Sequence, residues 1–154
     1  TSLEGTEIKF DEWNIDYAYS GTQKCLAAPP GLSPVAISEE GLNYIKNRKS
    51  PPSSWYLDLS GISNYWGKEH IAHQTTPVNL VYALREALNI TFEEGVENKF
   101  RRHELMSDAL KSGLKSLCLE LPIDESIALN QLTVAKIPNG INDDNGGAER
   151  NSKR

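Results

Sequence analysis

Two cysteines, one methionine and three histidines are all that this 154-residue chain has of the residue types most used for disulfides and metals. Cys25 and Cys118 are too few and too far apart to form a disulfide framework, so a reducing compartment is the default. No apolar run approaches the roughly 18 to 20 residues of a spanning helix, which excludes an integral helical membrane protein. Positive charge is also in deficit: the formal net charge is −5, which argues against a dominant nucleic-acid or anionic-membrane surface. The remaining composition, 38% apolar and 24% charged, suits a soluble globular chain with the length to bury a sizeable core.

Histidine is spent sparingly. Glu69-His70-Ile71-Ala72-His73 puts two imidazoles three apart, with His103 elsewhere, but no third ligand or recognisable zinc motif accompanies them. They read as loop histidines, and no metal is expected. His103 reads as the edge of a helical stripe. Cys25 has a lysine neighbour that could stabilise a thiolate, yet no histidine base near it in sequence, and reads as a small buried residue. The basic runs Arg101-Arg102 and Lys46-Asn47-Arg48-Lys49 read as solvated faces.

Local patterns predict a mixed α/β or α+β chain. Short strands are expected at residues 7–10 and 15–19, with a turn at 11–14, and another strand at 32–38 entered through Pro29-Pro30-Gly31. Residues 39–48 have helical spacing, with Ser38 as N-cap and Glu39 and Glu40 in the first turn. Residues 49–54 are a loop by composition, followed by an aromatic cluster from Trp55 to Trp66 that suits a core or an interface. A helix begins at Pro77 with Thr76 as N-cap; Leu80, Leu84, Ala87, Leu88 and Thr91 share one face, and Gly95 ends it in a left-handed conformation. A second helix follows to about residue 117, with Val96, Phe100, His103, Leu110, Leu114 and Leu117 in its stripe. Strands are expected at 117–121 and 132–137. The polar stretch 142–154 is expected to be a disordered tail, and both ends read as boundaries of a piece: the chain starts at Thr1 without methionine.

Chemistry concentrates in Tyr19-Ser20-Gly21-Thr22-Gln23-Lys24-Cys25-Leu26, running into Ala28-Pro29-Pro30-Gly31. A lysine at a strand end, partly desolvated, becomes a usable amine nucleophile toward carbonyls. Gly21 to Cys25 superficially looks like a phosphate-binding loop but lacks its first glycine and the hydroxyl after the lysine, so a nucleotide reading fails.

This run, together with Trp55-Tyr56-Leu57-Asp58-Leu59, Asn64-Tyr65-Trp66-Gly67, His73-Gln74-Thr75-Thr76-Pro77-Val78, Ala83-Leu84-Arg85-Glu86-Ala87-Leu88 and Glu94-Gly95-Val96-Glu97-Asn98, closely resembles the alanine–glyoxylate and serine–pyruvate aminotransferases, which are class V pyridoxal-phosphate enzymes. The resemblance extends to about Pro138. It implies pyridoxal 5′-phosphate as cofactor, Lys24 as the Schiff-base lysine, Gln23 on the cofactor phosphate, and Thr75 reaching the phosphate of the partner subunit in a homodimer. It further implies small amino acid and 2-oxo acid substrates, with alanine or serine as donor and glyoxylate or pyruvate as acceptor. The implied fold is part of the fold-type I large domain, a mostly parallel sheet with flanking helices, over residues 1–95. The start of a small α+β domain follows over 96–141, then the tail over 142–154. Peroxisomal or mitochondrial placement is common in the family; Ser152-Lys153-Arg154 is similar to a peroxisomal tripeptide but ends in arginine.

Departures qualify the resemblance. Ala72 stands where the family has an aromatic phosphate contact. The family's aspartate for the pyridine nitrogen would precede Thr1, and its carboxylate-gripping arginine would follow the small-domain start. Ureidoglycine–glyoxylate aminotransferases share the lysine segment and are the close alternative. Phosphoserine aminotransferases carry Gly-Pro-Ala-Gly where this chain has Pro29-Pro30-Gly31, and cysteine desulfurases need a catalytic cysteine in a distal loop, whereas Cys118 falls at a helix end. A non-catalytic truncated product that keeps the fold and dimer surface is the rival from another class.

Overall fold

A computed structural model describes residues 2–68 and 70–141. The expected tail, including Ser152-Lys153-Arg154, lies outside the described residues. Two compact units are present: one comprises Glu7–Glu94 with Leu3, and the other runs from Gly95 with Ser2 and Glu4–Thr6.

The first unit is organised around a hairpin. Strands β1 (Tyr17–Tyr19) and β2 (Val35–Ile37) pair antiparallel, with Tyr17 opposite Ile37, Ala18 opposite Ala36 and Tyr19 opposite Val35. Beyond β1 the pairing continues irregularly: Ser20 N–H donates to Pro34 O at 3.0 Å and Thr22 N–H to Leu32 O at 3.2 Å. This is the one sheet among the described residues; the mostly parallel sheet implied by the resemblance is not among them. Residues 7–10 form no strand. Trp13 N–H and Ile15 N–H bond back to Lys9 O and Phe10 O, which curls this stretch into turns and removes it from any ladder.

Helix α1 (Glu39–Lys46) starts as expected from Ser38, whose Oγ accepts from Gly41 N–H at 2.9 Å and donates to Asp16 Oδ1 at 2.6 Å. Helix α2 (Leu59–Trp66) occupies the aromatic cluster, where no helix was expected; Asp58 caps it, accepting from Ser60 N–H and Ser60 Oγ. The cluster is not core: Trp55, Tyr56 and Trp66 are exposed. Helix α3 (Val78–Glu94) follows Pro77, whose carbonyl accepts from Val81 N–H at 3.1 Å. Its expected stripe is its inward face, with Ala87 and Thr91 buried and Leu80, Leu84 and Leu88 half-buried.

In the second unit, α4 (Val96–Ser116) begins at Gly95, whose φ of +85° is the positive value expected of the residue between the two helices. The expected stripe is only partly right. Val96, Phe100, His103 and Leu114 are half-buried, but Leu110 and Leu117 are exposed and the most buried α4 residues are Lys99 and Ser107. Lys99 Nζ pairs with Glu4 Oε2 at 2.9 Å, both side chains largely shielded. A charge is tolerated inside a helix face when an opposite charge meets it there, which an apolar pattern cannot reveal. The strands expected at 117–121 and 132–137 do not form. Among the described residues one backbone hydrogen bond, Lys136 N–H to Glu120 O at 2.8 Å, joins them, too little for a ladder.

The expectation of a sizeable core also fails. Leu26, Ala28 and Ala87 are the buried apolar residues among those described, while Tyr19, Trp66 and Phe92 each stand more than 70% exposed. Long helices with apolar residues on several faces cannot all be covered by one small hairpin. No described helix is long and apolar enough to cross a membrane.

Candidate active site

The 15 residues between β1 and β2 form a loop with Lys24 near its tip, and Thr22 ties that loop. Thr22 is wholly buried. Its Oγ1 donates to Pro29 O at 2.7 Å, with Leu32 O a second acceptor at 3.2 Å. Its carbonyl accepts from Ala28 N–H at 2.9 Å, and Ala27 N–H closes a turn on Lys24 O, also at 2.9 Å. Leu26 and Ala28 are buried beneath, so the loop has its own small apolar floor. The proline pair then turns through Gly31 at φ +128°, a conformation costly to a residue with a Cβ. Glycine is doubly required there, because a Cβ would lie 2.6 Å from Leu80 Cδ1 of α3.

These ties leave Gln23 and Lys24 side by side and exposed. The partial desolvation expected of Lys24 is therefore not provided by the described residues. Cys25, expected as a small buried residue, is half-buried. Thr75 lies exposed on the segment before α3, and among the described residues no hydrogen bond joins it to Gln23 or Lys24. The histidine nitrogens go to backbone: His73 Nε2–H donates to Trp55 O at 2.7 Å and its ring lies on the Trp55 indole, centroids 4.2 Å apart. His70 Nδ1–H reaches Tyr65 O at 3.2 Å. Asp58 beside them is held below its ordinary carboxylate value, first by the hydrogen bond from Ser60 Oγ and last by the His73 imidazole. No metal-binding cluster occurs among the described residues.

Sequence reading missed Ser20 and Thr22 as parts of this arrangement. Ser20 is buried with its Oγ unpartnered, one residue after β1. The available signal was a run of small and hydroxyl-bearing residues around one lysine, which marks a tight backbone more than a chemical role. The loop suits a phosphorylated carbonyl compound. The loop from Ser20 to Pro34 has Lys24 as its one charged residue and no carboxylate of its own, and it exposes a primary amine and a carboxamide, while the buried Ser20 hydroxyl is unpartnered.

Comparison with known proteins agrees with this chemistry. A family model described as "Aminotransferase class-V" matches residues 1–138. The chain is 41% identical to an alanine–glyoxylate aminotransferase of Felis catus over 143 residues, which are 90% of this chain and 34% of that protein. It is 36% identical to a (S)-ureidoglycine–glyoxylate transaminase of Bacillus subtilis, over 91% of this chain and 38% of that one. Among solved structures, an alanine–glyoxylate aminotransferase from Nostoc sp. superposes with a TM-score of 0.90 at 39% identity, covering 97% of this chain and 40% of the other. This likeness indicates the fold-type I superfamily. The chain thus spans about two fifths or less of the length of these relatives. With the match running through the lysine loop and both helical motifs, the chain belongs to the class-V aminotransferases, a family whose cofactor is pyridoxal phosphate.

Proposed function

We propose that this chain carries the cofactor-holding segment of a transaminase that moves an amino group from alanine or serine to glyoxylate or pyruvate. The observation that carries the reading is the placement of Lys24 beside Gln23 at the tip of a loop tied by Thr22, within a chain of this family. When bound, pyridoxal phosphate supplies an electron sink conjugated with the substrate α-carbon. Lys24 Nζ would hold the cofactor through its aldehyde carbon and, as a free amine, would carry the proton from the substrate α-carbon to the cofactor C4′, acting first as general base and then as general acid. Gln23 donates its carboxamide N–H to the phosphate. Thr75, on an exposed segment, serves the phosphate of a partner subunit in a homodimer. The 36% identity to the ureidoglycine–glyoxylate transaminase stands close to the 41% of the alanine–glyoxylate enzyme, which favours keeping ureidoglycine as a second donor.

Titrating the protein with pyridoxal phosphate tests the reading. A saturable absorbance band that is missing in Lys24→Ala supports it. Borohydride reduction followed by peptide mapping should place the cofactor mass on Lys24; its appearance on another lysine refutes the site.

A further inference from the structure

Gly21 is a glycine without a conformational reason to be one. Its φ is not among the positive values that occur at Gly31, Gly95 and Gly140, so an L side chain fits its backbone. What a side chain would meet is Gln23. A Cβ built on Gly21 would stand 2.5 Å from Gln23 Oε1, 3.2 Å from Cδ and 3.4 Å from Nε2. The whole carboxamide lies across the bare Cα of Gly21, in space that any other residue would fill. These three nearest atoms all belong to the far end of a flexible side chain, not to backbone. A methyl group there would displace the carboxamide and leave the hydrogen bonds of Thr22 and Ala28 in place.

We infer that Gly21 is a positioning residue for the phosphate arm of the site, its missing side chain forming the seat that aims the Gln23 carboxamide. The inference rests on the proposed role of Gln23. Because the effect passes through a hydrogen bond to an anion, it should appear only with a ligand that carries the phosphate.

The experiment measures dissociation constants of pyridoxal 5′-phosphate and of unphosphorylated pyridoxal, by absorbance titration, for the parent protein, Gly21→Ala, Gln23→Ala and the double variant. Gly21→Ala and Gln23→Ala should each weaken the phosphorylated ligand about tenfold or more and leave pyridoxal unchanged. The double variant should be no weaker than Gln23→Ala alone. Parent-like binding by Gly21→Ala, with Gln23→Ala weakened, overturns the role of Gly21 and leaves that of Gln23 standing. Equal weakening toward both ligands also overturns it, since Gly21 would then be shaping the loop. Unchanged binding by Gln23→Ala removes the role of Gln23 and the inference with it.

Discussion

Thr22→Val is the sharpest test of how the lysine loop is built. The substitution keeps the side-chain shape and replaces one hydroxyl by a methyl at a wholly buried position. Leu32 O keeps the Thr22 N–H bond at 3.2 Å, but Pro29 O loses its 2.7 Å donor. Leaving a buried acceptor unpaired costs about 1–3 kcal/mol, and Thr to Val is for this reason not a conservative exchange. Thr22→Ser keeps the hydroxyl and gives up one methyl, about 0.8 kcal/mol of burial. Thr22→Ala gives up both and should be the least stable of the three. Urea titration of the parent and the three variants gives the ordering. Amide exchange localises it, because the Thr22 and Ala28 N–H groups that clasp the loop should lose protection in the valine variant. Parent-like stability of Thr22→Val, with unchanged exchange at both amides, would refute the claim that this hydroxyl ties the loop.

Three further outcomes are expected. Lys99→Ala and Lys99→Met should each cost about 1.5–3 kcal/mol, because both remove the cation that Glu4 Oε2 meets at 2.9 Å between largely shielded side chains, methionine recovering only the packing of the stem; parent-like thermal unfolding of Lys99→Met would contradict the ion-pair account. Gly31→Ala should destabilise by about 1–3 kcal/mol from backbone strain, and trimming Leu80 to alanine should not rescue it, since φ +128° remains; full rescue would put the whole effect in the Leu80 clash. The Asp58 carboxyl should titrate below its ordinary value of 3.8, chiefly because Ser60 Oγ donates to it. Its pKa being depressed in the folded state, its capping of α2 is present above the unfolded value and lost as pH falls through the folded one. A carboxyl-carbon titration by NMR in which Ser60→Ala leaves the Asp58 midpoint where it was would contradict that cause.

How much of this was legible in the sequence differs by element, for physical reasons. The α3 face was readable because its burial follows a helical apolar pattern, and Gly95 because a helix break needs a residue at positive φ. The Ser38 cap was readable because its hydroxyl accepts from the N–H of Gly41 three residues on, a local bond that sequence spacing shows, whereas its second bond, to Asp16, is not visible there. Helix α2 was hidden by serine, glycine and asparagine among its aromatics, although Asp58 before it and Gly67 after it are ordinary boundary signals. Lys99 was invisible as an inward residue because its partner Glu4 is distant in sequence, and Ser107 because its buried hydroxyl has no hydrogen-bond partner that a pattern could suggest. The strands at 117–121 and 132–137 failed because alternation proposes a strand and only a paired ladder makes one.

The site itself divides along the same line. Lysine and glutamine are recognisable as chemistry-bearing residues at a glance, but what fixes them is backbone: Thr22 closing on Pro29 and Ala28, and Gly21 leaving its side clear for Gln23. The loop positions the Lys24 amine without covering it. Precision and desolvation are thus separate contributions here. The described residues supply the first for the loop backbone, through buried hydrogen bonds at its base, and leave the Lys24 side chain exposed. On the proposed reading, loosening the loop at Thr22 should change how well the amine is placed, and altering Gly21 how well the Gln23 carboxamide is aimed.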